Sequence, residues 1–425
     1  MKNYKNIYLL VKNKKFNLAI NELNKIENEE VNSFEYNYLK GFSFLNLNKI
    51  DDAIENLSSA IQINQNNVLP YFYRGIAYLK LNKFDLAKSD YTKAISLKPD
   101  FPELYNNLAN INYRKGENEE AIKNYIDSIN LDKKMKSSIL GLLNILSQTN
   151  NVKDDGLELI EVHNKLNKIL FNYSKNEIIE NSNVKTYLNE INNTIDNQID
   201  DLNLNLVQTY KENKFPPNCT RHHKIFNKHN IIPEYCFGCY KIQIDPENVI
   251  DLIKIHIIFD NFDFENNNMR KCMIELRPNI DGNYKSFVYC KTLIEAENIL
   301  QELSEVLKNN LNKEIKIKIK RGCSEFSIKF PQYQNLKKDT MMYNKSWKDS
   351  ENSFDNENLE FAKERKIRPT IKGATLFDAV VIRNWLAFAK LIGDNSYKQV
   401  SDKDFYSNFI EEKLKAKLSQ KQQLN

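Results

Sequence analysis

The sequence predicts a multidomain α/β chain: an N-terminal all-α solenoid of helical hairpins, then an α+β domain, then C-terminal helices. Three observations predict it. Small and large residues recur every 34 positions in the first third of the chain. From Tyr240 the apolar spacing changes from helical to strictly alternating. All six cysteines, Cys219, Cys236, Cys239, Cys272, Cys290 and Cys323, fall between residues 219 and 323, so one region carries the thiol chemistry.

The repeat comes first. Gly41 and Gly75 are one period apart and the next step lands on Ala109. Ala53, Ala87 and Ala121 keep the period, as do Leu57, Tyr91 and Tyr125, and Ala60, Ala94 and Ser128. Small residues at such positions let two helices touch, and large ones fill the gap between hairpins. Residues 68–101 match best, with Tyr71, Gly75, Tyr78, Ala87, Tyr91, Ala94 and Pro99. The pattern resembles the tetratricopeptide-repeat family. It is clear in units 34–67, 68–101 and 102–135. It is degenerate in residues 1–33, which keep Ala19, Leu23 and Ile26, and in residues 136–170, apolar from Gly141 to Leu170. The array is therefore assigned to residues 1–170.

The resemblance implies a protein or peptide partner held on the first helix of each hairpin, at Tyr38, Phe42, Phe72, Ile76, Asn106, Asn110 and Tyr113. The alternative is that these side chains pack only on neighbouring repeats or on the chain's own C-terminal part. The Lys and Asn pairs with which some family members grip a terminal carboxylate are not cleanly present, so chaperone-tail binding is not expected.

Residues 171–216 read as an Asn-rich, partly helical linker, with Ile191, Ile195 and Ile199 at four-residue spacing and Pro216-Pro217 at its end. Residues 217–335 form the cysteine-bearing α/β domain. Tyr240, Ile242 and Ile244 alternate as a strand, and Pro246 opens an apolar helix to Phe259. Cys272, Ile274 and Leu276 alternate again, Asp281-Gly282 turns the chain, and Ser286 to Cys290 returns. Thr292 and Glu295 make a capping box for a helix to Leu307. Ile315, Ile317 and Ile319 form the last clear strand, and Cys323 to Phe330 reads as a fifth.

The order βαββαβ is the ferredoxin-like split arrangement. A hairpin centred near Asp281 sets Cys272 opposite Cys290, Ile274 opposite Val288 and Leu276 opposite Ser286. Lys241, Gln243, Arg277, Phe287, Tyr289, Lys316, Lys318 and Lys320 then share the other face. Residues 336–425 form a helical extension packing on this domain. Residues 332–370 read as irregular, the apolar helix after Thr375 is bracketed by Gly373 and Gly393, and a last helix runs from Asp402 to Leu418.

Four kinds of chemistry are open to this region. Cys219-Thr-Arg-His222 followed by Cys236-Phe-Gly-Cys239 has ligand types and spacing that suit tetrahedral zinc, with His223 and His229 as spare donors. Zinc is the only cofactor the sequence suggests. The alternative is reduced cysteines packed beside a strand. Thiol redox chemistry at Cys236 and Cys239 is disfavoured, because no helix N-terminus follows them to lower a thiol pKa. Single-stranded RNA is a third reading, through a sheet face with Lys241, Phe287, Tyr289, Lys316 and Lys318. The strand Tyr284-Lys-Ser-Phe-Val-Tyr-Cys lacks the glycine–aromatic signature of RNA-recognition motifs. Arg277, Arg321 and Glu275 near strand ends could recognise an anionic small molecule, against the plainer reading of solvated surface.

The net charge of +5 makes no whole-chain case for nucleic acid. No apolar run reaches the roughly 18 residues of a membrane helix, and the N-terminus leads into an amphipathic pattern, so a cytoplasmic protein is expected. No phosphate-binding glycine loop, G-x-S-x-G elbow or H-E-x-x-H occurs. The leading expectation is an interaction adaptor with an appended α/β domain. The rival is an enzyme that uses the array as its substrate receptor.

Overall fold

The computed structural model describes residues 4–26, 33–153, 156–196, 202, 204–211, 217–278, 280–336, 341–358 and 369–424. Of the residues used above, Ile199 and Pro216 lie outside these. The chain divides into two compact units, Met1–Ile145 and Leu146–Asn425.

Among the described residues of the first unit every regular element is a helix. Helices α1 (Tyr4–Lys12) and α2 (Phe16–Leu23), α3 (Phe34–Asn46) and α4 (Ile50–Ile63), α5 (Val68–Lys80) and α6 (Phe84–Leu97), and α7 (Pro102–Lys115) and α8 (Asn118–Leu131) pair as hairpins. Helix α9 (Lys136–Leu146) follows. Entry is set locally: the Ser33 hydroxyl accepts from Tyr36 N, Asn67 caps α5, and Pro102 opens α7 where no N–H is needed.

The turn inside each hairpin also repeats. Lys14, Asn48, Asn82 and Gly116 all have positive φ, at 57°, 60°, 55° and 81°. After each, an N–H reaches back five residues, from Lys15 to Leu10, Lys49 to Phe44, Lys83 to Tyr78 and Glu117 to Asn112, at 2.8–2.9 Å. This closes the first helix and turns the chain into the second. Lys14 keeps the period, so residues 4–23 form a hairpin in register although their side-chain pattern has decayed.

The repeat columns are the core. Ala53, Ala87, Ala121, Leu57 and Tyr91 are fully buried and Tyr125 nearly so. A methyl group on Gly75 would lie 2.6 Å from Tyr91 Cε1, so only glycine lets that ring seat. In the last unit Tyr125 instead meets Gly141 of α9, where an added Cβ would lie 2.3 Å from the ring. That contact explains why the glycine stands two residues off the period.

The second unit is built on a five-stranded antiparallel sheet. Its strands are β1 (Gln208–Lys211), β2 (Tyr240–Asp245), β3 (Arg270–Ile274), β4 (Tyr284–Cys290) and β5 (Lys316–Arg321), in the spatial order β1-β3-β4-β2-β5. Helices α10 (Glu158–Leu166) and α11 (Asn181–Asp196) precede β1, and α12 (Cys219–His229) and α13 (Glu234–Phe237) lie between β1 and β2. Helices α14 (Val249–Asn261) and α15 (Leu293–Leu311) pack on the strands. Thr292 caps α15 as the sequence expects, whereas α14 starts behind an Asn248 cap and not at Pro246. The helix Leu376–Ile392, capped by Thr375 and ended by Gly393 at φ 77°, packs on α14, β1 and β3, with Trp385 fully buried.

Several local expectations are corrected. Residues 324–329 are a helix, α16 (Ser324–Lys329), and not a strand; the fifth strand is β1, from the stretch read as linker. Residues 345–357 are helical, α17 (Lys345–Glu357), where irregular chain was expected, because Asn344 caps them and Glu351 and Phe354 find buried partners. The final helix is Asn408–Leu424, later than expected. The hairpin register is Cys272 opposite Ser286 and Ile274 opposite Tyr284. The connection spans Glu275 to Asn283, whose N–H and C=O pair at 2.7 Å, so the centre moves toward the N-terminus. The shift preserves parity, and the same side chains still share each face.

Candidate functional site

Aromatic side chains form a connected row, with Tyr38, Phe42, Phe72 and Tyr73 on first helices, Phe16 on α2 and Phe101 at the N-cap of α7. Phe16 lies 6.1 Å from Phe42, Phe42 4.6 Å from Tyr73, Tyr73 5.1 Å from Phe72 and Phe72 5.0 Å from Phe101. Tyr38 joins at 6.3 Å from Phe42. Of the expected groove residues, Tyr38, Phe42, Phe72, Ile76, Asn110 and Tyr113 are half-buried, with surface left to offer. Asn106 is buried, and its carbonyl oxygen accepts from Ser138 at 3.0 Å. The Asn110 oxygen accepts from Tyr125 at 2.7 Å. At the amide end, Asn106 thus ties its repeat to α9, and Asn110 ties together the two helices of its own hairpin. Tyr73 belongs to the row and was not singled out from the sequence; its period partner is Asn107, so no column marks it.

In the second unit, α12 carries Cys219, His222 and His223. Asn218 caps it, and Arg221 pins it to α17 by forking onto Asp355 at 2.8 and 2.7 Å and reaching Glu351 at 2.9 Å. This anchoring directs His222 onto the Tyr235 ring, 5.1 Å away, and His223 toward Cys323, with Nε2 3.9 Å from Sγ. Cys239 ends a tight turn from Cys236, and its carbonyl accepts from Gly322 N at 2.9 Å. A methyl on Gly322 would lie 2.8 Å from Cys239 Sγ, so the thiol rests on the backbone just before Cys323. Cys236 packs in the same apolar cluster as Cys323, Phe326 and Tyr333.

Burial, reinforced by the neighbouring thiols, pushes Cys236 well above the ordinary thiol value; burial pushes Cys239 up to about 12 and Cys323 up to about 11. Burial thus favours the neutral thiol at these three positions and works against a standing thiolate nucleophile there. The expected donor set Cys219, His222, Cys236 and Cys239 is not drawn to one point. Among the described residues, the donors that lie within 4.8 Å of one another are His223, Cys323 and Glu325. All six cysteines are free, and Cys272 and Cys290 are buried in the sheet.

The sheet face turned away from α14 and α15 is basic. Lys241 Nζ stands 5.7 Å from the Phe287 ring centre and 5.2 Å from that of Tyr289. Lys271 Nζ stands 6.0 Å from Phe287 and 5.6 Å from Tyr210, and Lys320 Nζ 5.5 Å from Phe287. Phe287 is only 7% exposed under them, so it offers no free ring for a base to stack on; Tyr289 is half-buried. Lys316 and Lys318 are exposed on the edge strand. Burial first, then neighbouring positive charges led by Lys241, lowers Lys271 to about 8 and Lys320 to about 8. Lys271 could have been found from the sequence, since it alternates with Cys272 on β3.

Among the described residues no helix is long and apolar enough to cross a membrane. No curated protein matches the chain. A family model described as TPR repeat matches residues 41–82 and 77–116, and one described as tetratricopeptide repeat matches residues 102–135. Three solved structures are similar to the array. MamA 41-end from Desulfovibrio magneticus RS-1 is 19% identical over 34% of this chain and 82% of its own, with a TM-score of 0.32. The Arabidopsis OM64 TPR domain is 21% identical over 26% and 93%, with a TM-score of 0.26. The second TPR domain of human RPAP3, solved with an HSP70 peptide, is 26% identical over 26% and 91%, with a TM-score of 0.25. Residues 41–135 of this chain are tetratricopeptide repeats.

Proposed function

We propose that the chain is a protein–protein interaction adaptor that receives a peptide or amphipathic helix of another protein on the first helices of its repeats. The observation that carries this is the half-buried row of Tyr38, Phe42, Phe72 and Tyr73. Rings held edge to edge present apolar area that loses little side-chain entropy on binding, which suits spaced anchors on a helix or strand. A displayed peptide library panned on the full chain tests it. The expected result is one enriched consensus, lost on a Phe42→Ser, Tyr73→Ser variant that keeps its helical circular dichroism. No consensus, or a consensus indifferent to the variant, would remove the proposal.

The second unit is read as a ferredoxin-like arrangement with one added edge strand, β1 beside β3. Supporting this is the order β3-β4-β2-β5, with α14 joining β2 to β3 and α15 joining β4 to β5.

A second reading assigns one zinc ion to Cys236, Cys239, Cys323 and His223, three thiolates and an imidazole, after rotation of the first two side chains. Favouring it is the approach of His223 to Cys323 from a separate segment, beside the Cys236–Cys239 turn. Metal analysis of the full chain decides. One equivalent of zinc, lost in Cys323→Ser and kept in Cys272→Ser, supports the reading; metal-free protein that zinc does not stabilise sinks it.

A further inference from the structure

We propose that the basic sheet face of the second unit is a binding site for a multiply charged phosphate-type oxyanion, held by Lys241, Lys271 and Lys320. The site is made by register. Pairing of β2 with β5 sets Lys241 directly opposite Lys320, and pairing of β3 with β4 sets Lys271 opposite Phe287, whose other neighbour across the sheet is Gln243. Three ammonium groups therefore converge on one ring. Like charges directly across a sheet are destabilising, and a fold that keeps them departs from its own packing rules at that spot.

Among the described residues no carboxylate forms a direct ion pair with any of the three ammonium groups, and only Lys271 is attracted at longer range, by Glu275 and Glu325. The Asp245 carboxylate is taken by Lys285 at 2.7 Å and by Gln243 at 2.7 Å. The Glu275 carboxylate is taken by Arg277, through Nε at 2.9 Å and Nη2 at 2.7 Å. Glu325 is exposed and reaches Arg277 at 3.9 Å. Lys318, Lys285 and Arg277 add positive charge to the surroundings of Lys320, and the Cys219 thiol beside Lys241 and Lys271 is pushed up by burial and carries none to offset it.

Chemistry selects the ligand. Each ammonium has three donors, and the partly desolvated setting strengthens a charge-assisted bond to an oxyanion. One negative charge would offset only part of the repulsion among three cations; a diphosphate offsets most of it. The ring beneath is covered by the lysines, so the contact is ionic and does not depend on stacking a base.

Calorimetric titration and thermal melting of the full chain test this with pyrophosphate, ATP and a single-stranded RNA oligonucleotide. The expected result is saturable one-to-one binding of pyrophosphate, weakened by salt and by at least about tenfold in Lys320→Met or Lys241→Met. ATP should bind with the same lysine dependence. The unliganded Lys320→Met chain should melt higher than the wild type, because repulsion is removed, so its loss of binding cannot be misfolding. Lys316→Met, altered on the edge beyond the cluster, should bind normally. Absence of pyrophosphate binding, binding unchanged in both cluster variants, or binding of RNA without pyrophosphate would each overturn the proposal.

Discussion

Lys211 Nζ lies 2.9 Å from Asp260 Oδ1 and 3.3 Å from Asp378 Oδ2, with 4% of the lysine side chain exposed. Carbonyls of Ile371 and Gly373 also accept from it, at 3.3 and 3.5 Å. One cation thus ties edge strand β1 to α14 and to the helix Leu376–Ile392. Burial opposes its charge, but Asp378 and Asp260 together hold it above the ordinary lysine value. The sign follows: its contribution is complete at neutral pH and fades only as pH rises through that raised value. Lys211→Met strands two buried carboxylates and should cost about 3–5 kcal/mol in chemical denaturation. Adding Asp378→Asn should recover part of that loss; equal or additive losses would contradict the coupling.

Arg74 and Asp90 play the same part within the repeats. The guanidinium donates to the carboxylate at 2.9 and 2.7 Å and to Ser58 Oγ at 3.0 Å, joining α5, α6 and α4. Asp90 is 5% exposed, so removing its partner leaves a nearly dry charge. Arg74→Leu should destabilise the array by about 3 kcal/mol. Arg74→Lys should recover less than half, because an ammonium cannot reproduce the two-pronged fit. Thermal denaturation of both variants reads the difference.

The left-handed column makes a stabilising prediction. Lys14 and Asn82 hold positive φ where a side chain is strained, and Lys, unlike Asn, has no local hydrogen bond to ease it. Lys14→Gly should stabilise the chain by about 1 kcal/mol, and Asn82→Gly by less. A lower melting temperature for Lys14→Gly would show that the turn is not held in that conformation.

Three buried histidines, His163, His222 and His256, predict acid sensitivity. His163 donates from Nε2 to the Thr149 carbonyl at 2.8 Å, while its Nδ1 is buried without a partner among the described residues. His256 sits between Thr209 and Trp385. Burial lowers all three below the ordinary 6.5, His222 to about 4. The unfolded chain takes up protons first, so stability should fall as pH drops below 6.5 toward the depressed folded values. The urea midpoint should decline from pH 7 to pH 5, and decline less in His163→Gln. Identical slopes would remove His163 from the explanation.

How far the sequence carries can be seen residue by residue. The helical hairpins were legible because contacts in a repeat recur at one period: Gly41 meets Leu57 as Gly75 meets Tyr91, and the alanine columns are fully buried. The turn column at Asn48, Asn82 and Gly116 has residue types that tolerate positive φ, but it was not singled out from the sequence and emerged only with the backbone angles. Strands β2 to β5 followed from alternation, and the helix caps at Thr292 and Thr375 from local hydrogen-bonding needs that depend on three or four neighbours.

What needed the tertiary structure was every relation between distant segments. Strand β1 has too few residues to carry a period and exists because β3 offers its edge, with Lys211 finding carboxylates from two helices. His222 and His223 are adjacent in sequence, and only the anchoring of α12 by Arg221 to α17 decides which ring faces Cys323. The alternating lysines of β5 were visible as a charged face. Their crowding with Lys241 and Lys271 over one buried phenylalanine depends on strand order and register, which neither composition nor local periodicity encodes.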